Sequence, residues 1–224
     1  VEPPDLTRPI NIDADVSNIN LRTLHDSFFD DPTDGTIVLV TINFDVLVYG
    51  DDDEPEYEGY ALTTGDWPSG VVVEVVNNGY IAGAGGRGGD IVLNLTNGQS
   101  GDDGMTASYP ITVENNGTIA GGGGGGGARD GYRPGIGNLG LRFDGGGGGA
   151  PYGLGGRGRT PNGGAGGLGQ NGGRLTGGAG SGAAGAGGNI GLNGVSSSRY
   201  TGGQAGVAIV DPDNLITLIN NGQI

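Results

Sequence analysis

Apolar and polar residues alternate through the first third of the chain. "NIDADVSNINLRTL" brings Ile12, Ala14 and Val16, then Ile19 and Leu21, to every second position. "GTIVLVTINFDVLVYG" carries Ile37, Val38, Leu39, Val40, Ile42, Phe44, Val46 and Val48 before a turn at Gly50. A period of two with β-branched enrichment predicts strands. "DDDEPEYEG" (51–59) reads as an acidic loop, and "YALTTGDWPSGVVVEVVNNGYI" as strand, turn, strand. Together these predict a small antiparallel, β-sandwich-like module over residues 1–70, in a protein that is mainly β with little or no α.

A repeat ties this segment to the rest. "VVNNGYIAG" (75–83), "VENNGTIAG" (113–121) and "LINNGQI" (218–224) share hydrophobic-x-Asn-Asn-Gly-x-Ile. Asn-Gly is a preferred left-handed turn pair. Each copy therefore predicts strand, tight turn, strand, with Asn77-Asn78-Gly79, Asn115-Asn116-Gly117 and Asn220-Asn221-Gly222 as structural turns. Spacings of 38 and 105 residues are too unequal for a regular solenoid. They fit one β-rung reused with insertions of different length: rungs with a short glycine-rich insertion over 71–120, a long glycine-rich module over 121–206, and a returning rung over 207–224. The third copy stops where the first two run on into glycine, and the chain opens at Val1 without Met, so the expectation is a fragment or processed product of something longer.

Composition changes the picture for the long insertion. Glycine accounts for 55 of 224 residues, hydrophobic residues for 34% and aromatics for 6%, too little for an ordinary core over the whole length. Gly121 to Gly127 are consecutive glycines, and glycine loses the most backbone entropy on folding. A flexible linker would be featureless. Here Leu139, Leu141, Phe143, Tyr152, Leu154, Leu168, Leu175, Ile190 and Leu192 recur between glycine runs. Collagen is excluded, because no G-X-Y period is sustained. The remaining reading is an array of short polyglycine II helices, three residues per turn, whose bare backbones pack closely and bond to one another.

Charge divides the chain in the same way. Residues 1–116 hold 21 acidic residues against three arginines, whereas residues 117–206 hold two aspartates against seven arginines. With no cysteine, disulfides and thiolate metal sites are excluded. His25 is the only histidine, which excludes His-based triads and multi-His metal sites and reads as a surface or half-buried residue. The carboxylates of "DSFFDDPTDG" and "YGDDDEPEYEG" lie in expected loops, without EF-hand spacing, and read as solvated rather than catalytic or metal-binding. No cofactor, nucleic-acid partner or membrane insertion is expected.

The chemistry worth following is Arg129, Tyr132, Arg133, Arg142, Phe143, Tyr152, Arg157, Arg159, Arg174, Arg199 and Tyr200, where glycine runs give way to large side chains. Arginine and tyrosine are frequent anchors of binding surfaces. Arginine also suits phosphate or carboxylate groups, and the same residues can equally cap free carbonyls within the fold.

"INLRTL" followed by a β run, then "YALTTGDWPSGVVVEVVNNGYIAGAGGRGGD" and "ITVENNGTIAGGGGGGGARDG", resembles the glycine-rich C-terminal receptor-binding region of tailed-bacteriophage tail fibre and host-specificity (central tail fibre) proteins. The resemblance covers roughly residues 10–224. In texture the chain is also similar to the polyglycine II tip adhesins of other phages, for which a different N-terminal part is expected. The resemblance implies an extracellular virion protein, a non-enzymatic adhesin that binds an outer-membrane protein or lipopolysaccharide through the loops joining its glycine helices. It further implies other tail proteins as partners and a homotrimer. A structural fibre or capsid decoration protein, or an ice-binding polyglycine II slab, are the alternatives.

Overall fold

The structure is a computed structural model that describes residues 6–51, 59–132, 141–159 and 165–224, excepting the side chains of 130–132, 141–143, 159 and 165–167. It is 29% strand and 3% helix. The mainly-β expectation holds, but the scaffold pairs in parallel where antiparallel pairing was expected.

Five passes of the chain build three sheets. The first pass contributes β1 (Thr7–Ile12), β2 (Val16–Ser17) and β3 (Ile19–Asn20), followed by a short helix α1 (Leu21–Asp26). The second contributes β4 (Ile37–Ile42), β5 (Leu47–Tyr49) and β6 (Leu62–Thr63), and the third β7 (Val72–Asn77), β8 (Tyr80–Ala82) and β9 (Met105–Thr106). The fourth begins with β10 (Ile111–Asn115) and β11 (Thr118–Ala120) and includes β12 (Arg129–Tyr132), β13 (Leu141–Asp144), β14 (Arg157–Arg159) and β15 (Ala165–Leu168) before returning as β16 (Ile209–Val210). β17 (Ile216–Asn220) starts the fifth. The sheets run β1-β4-β7-β10-β17, β2-β5-β8-β11 and β3-β6-β9-β16. Each of the first four passes lays one strand on each of three faces, which is a β-solenoid whose rungs are interrupted. β4 pairs with β7 over its whole length, so the first strands and the repeat share the same sheets.

The alternation puts one apolar column above another. Ile10, Val40, Val75, Val113 and Leu218 are successive register partners, and the first four are buried. Such columns fill the space between the three faces with β-branched side chains, each fully buried one contributing about 1.5–3 kcal/mol. α1 buries Leu21 and His25, its N-cap Asn20 accepting from the Thr23 N–H. Against the expectation of a surface or half-buried position, His25 is wholly buried. Its ring lies 5.4 Å from Phe29 and 5.3 Å from Trp67.

The Asn-Asn-Gly repeat is a solenoid corner and not a hairpin turn. The chain bends there from the first sheet into the second, and none of the residues at these corners has a positive φ. The first asparagine points inward: Asn77 Nδ2 donates to Asn115 Oδ1 at 2.8 Å, and Asn115 Nδ2 donates to Asn220 Oδ1 at 2.8 Å. The second asparagine repeats the pattern on the surface, Asn116 to Asn78 and Asn221 to Asn116. The glycine is required by close approach, since a Cβ on Gly117 would run into the carbonyl of Gly79 in the rung below. An amide ladder of this kind satisfies polar groups that a buried corner would otherwise leave bare.

The glycine-rich segments leave from the junction between second-sheet and third-sheet strands. In the first pass that junction is Asn18 alone; it then lengthens to 50–61, 83–104 and 121–208. The glycine-rich segments therefore project from one side of the solenoid.

Candidate functional site

The run Gly121–Gly127 sits in the middle of the projecting block. Its N–H groups donate in a cycle of three. Gly122 and Gly125 bond to Asp102 and Gln99, Gly123 and Gly126 to Ala150 and Gly147, and Gly124 and Gly127 to Leu192 and Val195. Its carbonyls accept with the same period: from Gly86 and Gly89, from Gly188 and Gly185, and from Gly206 and Gly203. The residues of the run are buried. A Cβ on Gly122 or Gly125 would fall on the carbonyl of Ala84 or Arg87. Only a chain without side chains can be surrounded this closely by other backbone.

The bonding also gives each segment a direction. Residues 83–89 and 121–128 lead away from the rungs, while 96–102 and 145–150 lead back, their partners running in opposite order. Residues 153–156 then run outward beside 85–88, and 169–172 return. Turns thus fall alternately at the outer end and at the rung end.

Arg129, Tyr132, Arg142, Phe143, Arg157 and Arg159 belong to one outer sheet of order β12-β13-β15-β14. Arg199 and Tyr200 lie in the neighbouring outer turn 196–201, where Ser197 N–H donates to the Tyr200 carbonyl and Thr201 N–H to Asn97 Oδ1. Arg133 lies outside the described residues. Tyr152 and Arg174 are not with these groups, because they fall at turns on the rung side. Arg174 holds the block to the solenoid: its Nε donates to Asp15 at 2.7 Å and its Nη1 to Asp45 at 2.9 Å, while its guanidinium lies 5.5 Å from the Tyr80 ring centre. These bonds lower the Asp15 pKa and raise that of Arg174. Tyr152 meets Tyr49 edge-on with ring centres 5.0 Å apart.

Asp90 anchors the outer end. The residue is wholly buried, and its carboxylate accepts from Arg157 Nε at 2.9 Å, Arg87 Nη2 at 3.2 Å and the Leu93 N–H at 3.0 Å. Burial alone would raise its pKa, but the hydrogen bonds from Arg157 and Leu93 outweigh it and the pKa is lowered. Arg157 thus serves the fold with one edge of its guanidinium, while about half of its side chain (47%) remains exposed. Among the described residues no group of three or more His, Cys, Asp or Glu is arranged to hold a metal.

The outer end also carries apolar residues outside the arginine and aromatic set. Val92, Leu93 and Leu95, on the turn closed by the Asp90–Leu95 bridge, are exposed, as are Leu168 and Val195. The signal was present in "DIVLNLTNG", an apolar run between glycines. A glycine block offers no side-chain core in which to bury such residues.

No curated protein matches the chain. Among solved structures it resembles the gp37-gp38 adhesin tip complex of the bacteriophage S16 long tail fiber, with a TM-score of 0.68 and 26% identity over 97% of this chain and 80% of that one. The sequence profile of the family described as Phage tail fibre adhesin Gp38 matches residues 7–224, taking in the N-terminal strands as well as the glycine runs. With rungs, glycine block and outer loops all inside that match, the chain belongs to the Gp38 family of phage tail fibre adhesins.

Proposed function

We propose that the outer end of the glycine block is the surface that attaches to a bacterial receptor, and that the rungs seat the adhesin on another protein of the tail fibre. The chain is a tail component of the virion and works outside the cell, which sets aside the capsid-decoration and ice-binding readings. The observation that carries the proposal is convergence. Turns distant in sequence meet at the end farthest from the solenoid, and they hold most of the block's arginine and aromatic residues together with exposed Val92, Leu93, Leu95, Leu168 and Val195. The three-residue cycle of hydrogen bonds supports polyglycine II packing beneath them. Such a core leaves much of the loop sequence free to vary, because away from anchors such as Asp90, Arg157 and Arg174 the packing is between backbones. The role is attachment, and no chemical step is assigned to any residue.

The apolar content of this end favours an outer-membrane protein over lipopolysaccharide as the receptor. An exposed apolar cluster gains by burial against another protein, whereas a phosphorylated saccharide would be held by charge. On the fibre, the trimer implied by the resemblance would show as a threefold mass in light scattering.

The test is binding of the purified chain to host cells. Leu93→Asp with Leu168→Asp places charge on exposed positions and leaves the glycine packing alone. Cell binding should fall at least tenfold, about 1.4 kcal/mol or more, with the melting temperature unchanged. Retained binding by the folded double variant would overturn the site. Cells stripped of lipopolysaccharide should still bind if the receptor is a protein.

A further inference from the structure

A recess lies on the flank of the block, near the rungs. It encloses about 400 Å³ between the end of β5, the outgoing run at 84–87 and the turn at 151–154, and is lined by Tyr49, Asp51, Arg87, Gln99, Tyr152 and Leu154 among others. That volume suits a small ligand.

Tyr152 has a φ of +52°. The left-handed region is unfavourable for a bulky side chain and is ordinarily filled by Gly or Asn. A strained aromatic residue at the mouth of a recess is an observation from which function can be argued. Its ring is braced edge-on by Tyr49 yet remains 44% exposed. The turn itself is closed by backbone, the Tyr152 N–H donating to the Gly173 carbonyl, so the contact with Tyr49 uses only one edge of the ring.

The polar groups define the ligand further. Among the described residues the buried Arg87 Nε has no hydrogen-bond partner, and the Arg87 side chain, 29% exposed, lines the recess. Arg87 shares the Asp90 carboxylate with Arg157, and Asp51 adds a second carboxylate at the recess, so the two cations face two anions. A phosphate or carboxylate would therefore meet no net positive charge there. Gln99, with an exposed side chain, brings both a donor and an acceptor.

We propose that this recess binds a neutral pyranose saccharide, with one sugar face on the Tyr152 ring and hydroxyl groups exchanging hydrogen bonds with Gln99, the tyrosine phenols and Arg87. The partly positive C–H face of a pyranose complements the negative face of an aromatic ring. Alternating donor and acceptor hydroxyls suit walls that offer both. The site is independent of the outer end, so either proposal can fail alone.

The probes are methyl α-D-glucopyranoside and methyl α-D-galactopyranoside, titrated into the isotope-labelled chain and followed by amide shifts and saturation transfer. Glucose 6-phosphate is the charged control. At least one glycoside should bind with a dissociation constant of about 1–10 mM and shift the amides of Tyr49, Arg87, Gln99 and Leu154. Tyr152→Asn, compatible with the left-handed backbone, should weaken binding at least tenfold in a folded protein whose melting temperature falls only by the loss of the Tyr49 contact. Gln99→Ala, an exposed change, should weaken it about threefold and decides the matter if the first variant fails to fold. No shift with either glycoside, unaltered affinity in the folded variants, or tighter binding of glucose 6-phosphate would each overturn the proposal. Cell binding through the outer loops is unaffected by any of these results.

Discussion

The solenoid and the glycine block solve the burial problem in opposite ways. In the rungs, columns such as Val38 over Val73 fill the interior with side chains, and the backbone is paired around the outside. In the block the backbone is the interior: Gly121 to Gly127 are buried against other backbone segments and contribute almost no apolar side-chain area. The rungs draw on the hydrophobic effect, about 25 cal/mol per Å². The block depends on hydrogen bonds, each worth only about 1 kcal/mol net, set against the largest backbone entropy loss of any residue. The block is consequently the part that needs external support. It receives that support from the chain junctions at the solenoid, from Arg174 on Asp15 and Asp45, and from Tyr152 on Tyr49.

The contrast breaks most sharply at single carbons. On the outer face of a rung, an added methylene meets solvent. Inside the block, Gly125→Val would drive its side chain into the Arg87 carbonyl with backbone on the other sides. The expected loss is about 3 kcal/mol or more, at the upper end of overpacking costs, with a fall in melting temperature or in soluble yield. Gly173→Ala is the control, since its Cβ would meet nothing closer than Thr176 Oγ1 at 3.3 Å. That change should move stability by less than about 0.5 kcal/mol. Equal effects at the two sites would mean that the block is not held by close backbone packing.

The corner between the two regions sharpens the comparison. Asn115 belongs to the rungs by position but is stabilised as the block is, by hydrogen bonds in a buried place. It donates to Asn220 and to the Gln223 carbonyl and accepts from Asn77. Asn115→Ala leaves partners on both sides unsatisfied and should cost about 2 kcal/mol. Asn116→Ala, one residue on and exposed, should cost much less. Urea unfolding of the two variants measures the difference.

Parts of this design were written in the sequence and parts were not. The strands could be read because alternation in "GTIVLVTINFDVLVYG" is the same in any half-buried strand. Their pairing direction could not, because a solenoid corner and a hairpin both break a strand with Asn and Gly. The repeat held the missing cue. Val73-x-Val75-x-Asn77, Ile111-x-Val113-x-Asn115 and Ile216-x-Leu218-x-Asn220 place an asparagine in the apolar phase, facing inward, where a hairpin turn would not put it. The third-sheet strands are two residues long in every pass, too short for any period. His25 was misjudged because Phe29 and Trp67, which enclose it, come together only in three dimensions. The candidate residues stood out because large side chains occur only where the block ends. Which end each occupies depends on counting outgoing and returning runs, and that count assigns Tyr152 and Arg174 to the rung side.

Acidification separates the two regions by the smallest effect. Asp15, which ties the block to the rungs, and Asp90, which ties the outer loops together, both have lowered pKa values: Asp15 chiefly through its hydrogen bond from Arg174, Asp90 because bonds from Arg157 and Leu93 outweigh its burial. A carboxylate whose folded pKa lies below its ordinary value of 3.8 adds stability above that value, and the contribution disappears as pH falls through the folded pKa. The apolar columns of the rungs have no such dependence. Between pH 6 and 5 the whole chain should hold its stability. Below about pH 4 the amides of 83–104 and 121–206 should lose hydrogen-exchange protection before those of β4, β7 and β10. Asp15→Asn should flatten part of the acid limb, since the amide keeps its shape but no longer titrates. Uniform loss of protection across rungs and block would show instead that the two regions unfold as one unit and that neither ion pair sets the acid limit.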